Sequence, residues 1–436
     1  MFFEPRVLVV SDSDDLATDL CVGLDRLGWP TLSARCAAAA EQGLKDFKLD
    51  AVILDAATPD LGKVAGRLRD LAEPRHLPIL AIGEAGGEAA PDLDLVMSAP
   101  LHPVQAAMRL DQLVRASLAE EEFSLRAQTF ADQSVQLEAP DLDDQPLQVL
   151  TIGPADRRFI ALANALVAAG AEVVAAPTPF TAFDYLHERA FDAVVLWGGP
   201  DVAPSLSIVA GMKRNTRLYH IPITLYLSQP DVALDLLFNR GVADVAEAEA
   251  AEDETAHRVL ALARNHRRRK AIRMALDSVR GSAVVDASTG LFTAELFAAH
   301  LNRVAAGARE RSRPVCVCIL RIAGRNHLIE ARQGGYLQAA LPQVGAMISR
   351  LVRVEDTAAQ LSPEVFALIL PGVTASEARL AAERIAAVIS CTAFDAGLGR
   401  PPFVIELDIG VGEARAGETP ATMLERASQD LSGETL

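Results

Sequence analysis

Arg353 and Asp356 lie three residues apart in Arg353-Val-Glu-Asp356, and after five further residues comes Ser362-Pro363-Glu364. A guanidinium donates paired hydrogen bonds and a carboxylate accepts them. The pair therefore suits a ligand with matching donor and acceptor edges, or else forms an ordinary surface ion pair worth little. A second set of acids sits early in the chain. Asp55 closes the apolar run Ala51-Val-Ile-Leu, and Asp12 follows the run Val7 to Val10. Carboxyl ends of strands in a doubly wound sheet are where such folds carry their chemistry, although a strand-end carboxylate can also lack a present task. Arg67-Leu-Arg-Asp70 repeats the Arg-x-x-Asp pattern on a helix and serves as a decoy.

The apolar spacing of Leu341, Val344, Ile348, Leu351 and Val352 predicts a helix that delivers Arg353 and Asp356. Val365 to Leu370 reads as a buried strand returning from a turn at Ser362-Pro363. Beyond it, Thr374-Ala-Ser-Glu377 is a capping box, opening a helix with Leu380, Ile385, Val388 and Ile389 on its apolar side and Arg384 beside that stripe. Earlier in the chain, short apolar runs alternate with amphipathic stretches from residue 6 to about 120, which predicts a parallel sheet wrapped by helices. The run Ala139-Pro-Asp-Leu-Asp-Asp-Gln-Pro146 breaks the pattern as a linker, and the same alternation then starts again at Gln148. This is an internal repeat.

The chain has 436 residues, enough for about three domains of roughly 150 residues. A net charge of −17 argues against a nucleic-acid polymer or an anionic membrane as main partner. The cluster His266-Arg-Arg-Arg-Lys270 with Arg273 reads as a solvated connector helix rather than a nucleic-acid footprint. No run is long enough to span a bilayer and no signal peptide opens the chain, so no membrane insertion and a cytoplasmic location are expected. Five cysteines are scattered, and Cys316 and Cys318 share one face of a strand as small hydrophobes; a metal site would need a second pair that is missing.

From residue 283 onward the sequence resembles the GGDEF family of bacterial diguanylate cyclases. Asp286-Ala-Ser-Thr-Gly-Leu291 is similar to the family's opening Asp-x-Leu-Thr-Gly-Leu turn, and Arg353-x-x-Asp356 stands at its inhibitory site, with Arg384 at the offset that completes it. The resemblance implies cyclic di-GMP as a regulatory ligand of Arg353, Asp356 and Arg384. Other positions depart from the family. Its turn glycines become Ser362 and Pro363, only Glu364 remains of the acidic pair, and the magnesium-binding strand carries Arg321 where an acid is expected. The guanine-reading positions align with Ile329 and Gln338. These departures imply degenerate active-site positions, no metal, no catalytic residue, and a protein that is not an enzyme.

The first parallel-sheet region resembles a receiver domain of two-component signalling, with Asp55 and Asp12 phosphoacceptor-like. The switch hydroxyl becomes Gly83, and the conserved-type lysine becomes Ala99 before Pro100. In the second copy the acids become Gly153-Pro154 and the acceptor becomes Trp197, which should fill the vacated pocket. The whole is similar to the PopA/PleD-like group of response regulators, nearest in logic to the PopA branch. This implies an α/β chain of two receiver-like doubly wound (βα)5 domains and a GGDEF-type domain with a mixed central sheet. The expected boundaries are a receiver at 1–122, a linker at 123–145, a receiver-like domain at 146–268, a connector helix at 269–282 and a degenerate GGDEF domain at 283–436. It implies further a homodimer through the receiver domains and an adaptor in cell-cycle control that delivers a regulator to a polar protease. A nucleotide-blind scaffold and a residual cyclase are the alternatives.

Overall fold

Runs of Val, Leu and Ile that are apolar at every position, rather than at alternate ones, form strands covered on both faces. The computed structural model describes residues 6–73, 75–83, 93–99, 101–142, 144–215, 217–229, 233–247, 250–279, 282–311, 313–397 and 399–431. Pro100, one of the receiver-type positions, lies outside them. The chain divides into two compact units, Met1–Ser117 with Leu142–Lys270 and Leu118–Asp141 with Ala271–Leu436.

In the first unit β1 (Val7–Val10), α1 (Asp14–Arg26), β2 (Thr31–Ala34), α2 (Ala37–Asp46), β3 (Ala51–Asp55), α3 (Leu61–Ala72), β4 (Ile79–Ile82) and β5 (Leu95–Met97) alternate, and α4 (Pro103–Asp132) follows, its residues from Leu118 on belonging to the second unit. The sheet is parallel in the order β2-β1-β3-β4-β5. This is a doubly wound arrangement whose strand order reverses beside β1 and β3, the strands that carry Asp12 and Asp55 at their ends. The second sheet is built from β6 (Gln148–Ile152), α5 (Arg157–Ala168), β7 (Glu172–Ala176), α6 (Pro179–Glu188), β8 (Ala193–Gly198), α7 (Ala203–Arg214), β9 (Ile223–Leu227), α8 (Leu234–Asn239), β10 (Asp244–Glu247) and α9 (Glu252–Ser278). Its order, β7-β6-β8-β9-β10, repeats that of the first sheet. The internal repeat is thus one of topology as well as of pattern.

The second unit carries β11 (Phe292–Thr293), α10 (Ala294–Glu310), β12 (Val315–Ile322), α11 (His327–Gln333), α12 (Tyr336–Leu351), β13 (Thr357–Ser362), β14 (Val365–Pro371), α13 (Ala375–Ser390), β15 (Leu407–Glu413) and α14 (Pro420–Asp430). Its sheet is mixed, β11-β13-β14-β12-β15, with β11 parallel to β13 and the other neighbours antiparallel. One face packs on α12 and α13, burying Leu341, Val344, Ile348, Ile385 and Ile389. The other packs on α10 and α14. The capping box forms, with Glu377 accepting from the Thr374 N–H at 2.8 Å. One expectation is corrected here: Leu380 is 67 % exposed, and Ala378 and Ala382 take the core side of α13. Two residues further round a helix is the opposite face, and the small alanines let the backbone sit close to the sheet. No helix among the described residues is long and apolar enough to cross a membrane.

Asp244, the first residue of β10, is fully buried. It accepts from Arg258 Nε at 3.0 Å and Nη2 at 2.7 Å and from Gln105 Nε2 at 3.0 Å, and Arg109 Nη2 lies 3.1 Å away. Burial alone would raise its pKa, but the guanidiniums of Arg109 and Arg258 outweigh burial and hold the carboxyl below the usual range. Removing the acid leaves buried Arg109 without its carboxylate and Arg258 with Glu254 at 3.7 Å, a loss of about 3–5 kcal/mol. Asp244→Asn should therefore unfold at markedly lower urea at pH 7. Because the folded pKa is depressed, the stabilisation is complete above about pH 5 and is lost as pH falls through the folded value. Urea titrations in steps below about pH 4 should show the gap between wild type and Asp244→Asn narrowing; a constant gap would contradict the assignment.

Candidate functional site

The helix α12 ends without a glycine. Val352 leaves it in an extended conformation (φ −73°, ψ 153°), with its N–H still bonded to Ile348 O. The last carbonyls of such a helix lack intrahelical donors and carry the negative end of its dipole. Arginines supply what is missing. Arg273 of α9 donates from Nη1 to Ser349 O at 3.3 Å and from Nη2 to Val352 O at 3.2 Å, and Arg384 of α13 donates from Nη2 to Leu351 O at 3.2 Å.

The turn that follows is held from within and from behind. Within it, Arg353 N–H donates to Asp356 Oδ2 at 2.8 Å. Behind it stands Arg126 of α4, a buried side chain whose Nη1 donates to Val354 O at 2.8 Å, Nη2 to Glu355 O at 2.7 Å and Nε to Thr357 Oγ1 at 3.0 Å. Burial pushes its pKa down, while Glu122, Asp356 and Glu355 pull it back up. Arg353 and Asp356 are half-buried, and among the described residues the Arg353 guanidinium has no hydrogen-bond or ion-pair partner. Both line a pocket whose wall includes Arg126, Arg273, Asp277, Phe292, Ser349 and Val352. Arg384 is not in that wall; it supports the end of α12.

The opening turn packs against the same helix. Asp286 Oδ1 accepts from the N–H groups of Ser288 and Thr289 at 3.1 and 2.8 Å and from their hydroxyls at 2.6 and 2.8 Å. Burial opposes ionisation of Asp286, but together these bonds prevail and hold its pKa low. Gly290 adopts φ +71°, and a Cβ on Gly345 of α12 would come within 2.5 Å of Thr289 O. Glycine lets helix and turn touch.

At the hairpin, Ser362 and Pro363 are exposed. Glu364 receives Arg332 Nε at 3.0 Å and Nη2 at 2.7 Å, a bidentate pair, and Arg321 pairs with Asp408 at 3.1 Å. A dication would need several free oxygens in octahedral order. The one turn carboxylate is already engaged, and among the described residues there is no metal-ready cluster of three His, Cys, Asp or Glu. Ile329 and Gln338 are both exposed.

In the first sheet, Asp55 Oδ2 accepts from Ser11 Oγ at 2.6 Å and Oδ1 from Ala57 N–H at 2.9 Å, while Asp12 is exposed. Gly83 adopts φ +121° and its N–H bonds Met97 O. In the second sheet the Trp197 ring lies 5.5 Å from Phe159 and 5.8 Å from Tyr226. The decoy Arg67 pairs with Glu41 at 3.1 Å.

Sequence reasoning missed Arg126 and read Arg273 as solvated. A signal for Arg126 existed: it falls four residues from Glu122 and from Phe130, on the stripe that also buries Leu118 and Thr129. A lone arginine on such a stripe needs acceptors.

Residues 283–434 match the family described as "Diguanylate cyclase, GGDEF domain", and they form a GGDEF domain. No curated protein matches the chain. Among solved structures, the GGDEF domain of DgcB from Caulobacter crescentus, in complex with c-di-GMP, is 25% identical (TM-score 0.32), covering 36% of this chain and 89% of that one. The FimX GGDEF domain from Pseudomonas aeruginosa is 20% identical (TM-score 0.32; 35% and 93%). Diguanylate cyclase SiaD of Pseudomonas aeruginosa, with its activator SiaC, is 20% identical (TM-score 0.32; 41% and 69%). The family match corrects the expectation that the protein is not an enzyme, because this family is normally a diguanylate cyclase. Departures at Arg321, Ser362 and Pro363 do not remove the domain from it.

Arg126→Met should keep the apolar contacts of the side-chain stem but leave Val354 O and Glu355 O without donors. A loss of about 2–4 kcal/mol is expected from two stranded buried acceptors, read as a lower melting transition of the full chain. An unchanged transition would show that the turn does not depend on Arg126.

Proposed function

We propose that the GGDEF domain binds cyclic di-GMP through Arg353 and Asp356, supported by Arg384. The reading rests chiefly on the Arg353 guanidinium, half-buried and, among the described residues, without a hydrogen-bond or ion-pair partner, beside an Asp356 carboxylate that accepts from the Arg353 N–H, with both residues lining one pocket. Guanine offers N7 and O6 as acceptors on one edge and N1 and N2 donors on another. A planar guanidinium meets the first with two parallel bonds, and a carboxylate meets the second. Arg384 acts through the end of α12, which leads into the turn that carries Arg353.

The N-terminal unit supports a wider reading. Two parallel sheets of identical strand order ahead of a GGDEF domain fit a receiver, receiver-like and GGDEF chain of the PopA/PleD type. In this reading Asp55 is phosphoacceptor-like with Asp12 beside it, and Trp197 fills the second pocket. The protein is then a cyclic di-GMP-responsive adaptor that dimerises through its receivers and brings a cell-cycle regulator to a polar protease.

Arg353→Ala should weaken cyclic di-GMP binding at least about tenfold, since a bidentate base contact is worth roughly 1–3 kcal/mol. Calorimetric titration of wild type, Arg353→Ala and Arg67→Ala tests this, with loss expected in the first variant alone. Equal affinity of wild type and Arg353→Ala would sink the reading. Asp55→Asn should leave the affinity and the sedimentation coefficient unchanged, because Gly83 and Ala99 provide neither hydroxyl nor ammonium to read a phosphoryl group. An acetyl-phosphate-dependent shift in sedimentation, absent from Asp55→Asn, would show a working switch instead.

A further inference from the structure

Arg273 lies on α9, N-terminal to the matched residues 283–434, yet it lines the same pocket as Arg353 and Asp356. Its two bonds to Ser349 O and Val352 O, at 3.3 and 3.2 Å, are long and use two of its five N–H donors. Arg126, the other cation in the wall, has its Nε, Nη1 and Nη2 each directed at the turn's oxygens. Two carboxylates, Asp277 and Asp356, also face the pocket, so a ligand with two phosphates needs a cation beyond Arg353. Leu276 and Phe292 add apolar surface on which a base can lie.

We propose that Arg273 is a ligand-binding residue of this pocket, its guanidinium meeting a phosphate of the dinucleotide while Arg353 and Asp356 meet a guanine. The bound ligand then ties α9 to the turn after α12, and part of the binding site belongs to the connector helix rather than to the GGDEF stretch. This rests on the reading of the pocket as a cyclic di-GMP site.

The test is calorimetric titration of the full chain with cyclic di-GMP at several salt concentrations, with melting temperatures in parallel, for wild type, Arg353→Ala, Arg273→Ala and Arg273→Lys. Arg273→Ala should weaken binding about tenfold and flatten its salt dependence, as loss of one phosphate contact does. Arg273→Lys should recover part of both. Wild-type affinity in Arg273→Ala, with binding lost in Arg353→Ala, overturns the inference and leaves the parent reading standing. A weakened Arg273→Ala with an unchanged salt dependence, or failure of both Arg273 variants to fold, makes Arg273 structural and also overturns it. No binding by the wild type removes the parent reading and this inference with it.

Discussion

A guanidinium taken out of water must direct its donors at protein oxygens, and Arg126 directs Nε, Nη1 and Nη2 at the turn from Val354 to Thr357. The turn in turn depends on them. Its carbonyls are buried with residues Val354 and Glu355, and they belong to no strand or helix. Buried carbonyls outside regular structure need donors from elsewhere, and here those donors come from a helix far away in sequence. The position of Arg353 and Asp356 is therefore a property of α4 as much as of the segment that contains them.

The same logic extends along α12. A helix that exits straight into an extended residue forgoes the left-handed glycine cap, so its carbonyls stay open. Arg273 and Arg384 close them from two directions. At its side, Gly345 admits the Asp286–Leu291 turn to van der Waals contact, and α4, α9 and residues 285–292 line the pocket at the end of this helix. Lysine would serve less well at Arg273, because a compact ammonium cannot bridge the Ser349 and Val352 carbonyls in a plane.

Much of this architecture was legible beforehand, and the reasons are local. Continuous apolar runs marked β1, β3, β6, β8 and β9 because burial on both faces leaves no alternation to confuse them. The helix before Arg353, the hairpin at Ser362-Pro363 and the capping box at Thr374 each have short-range signatures. Long-range side-chain duties were not legible. Nothing adjacent to Arg126 announces Val354 and Glu355 as its partners, more than two hundred residues on. Leu380 was misplaced because a large apolar side chain was given the core side without asking whether Ala378 and Ala382 could hold it. Enzyme status was misjudged for another reason: substitutions at a few positions were weighed above the family to which the whole domain conforms.

Buried arginines occur in both units, yet they are satisfied differently, and the difference bears on the field in the pocket. In the first unit Arg109 and Arg258 share the carboxylate of Asp244, so opposite charges meet at contact distance. In the second, Arg126 is satisfied by two carbonyls and a hydroxyl, and among the described residues it makes no ion pair at salt-bridge distance. Carbonyl oxygens satisfy its donors without cancelling its charge. The carboxylates that act on it, Glu122, Asp356 and Glu355, do so only through space. Behind a partly desolvated turn such a charge is weakly screened, and its field reaches the pocket that Arg126 itself helps to wall. An ion-paired network of the Asp244 kind would leave less of that field in the pocket. The choice of partner for a buried cation thus separates an arginine whose charge is paired on the spot from one whose charge still reaches a pocket.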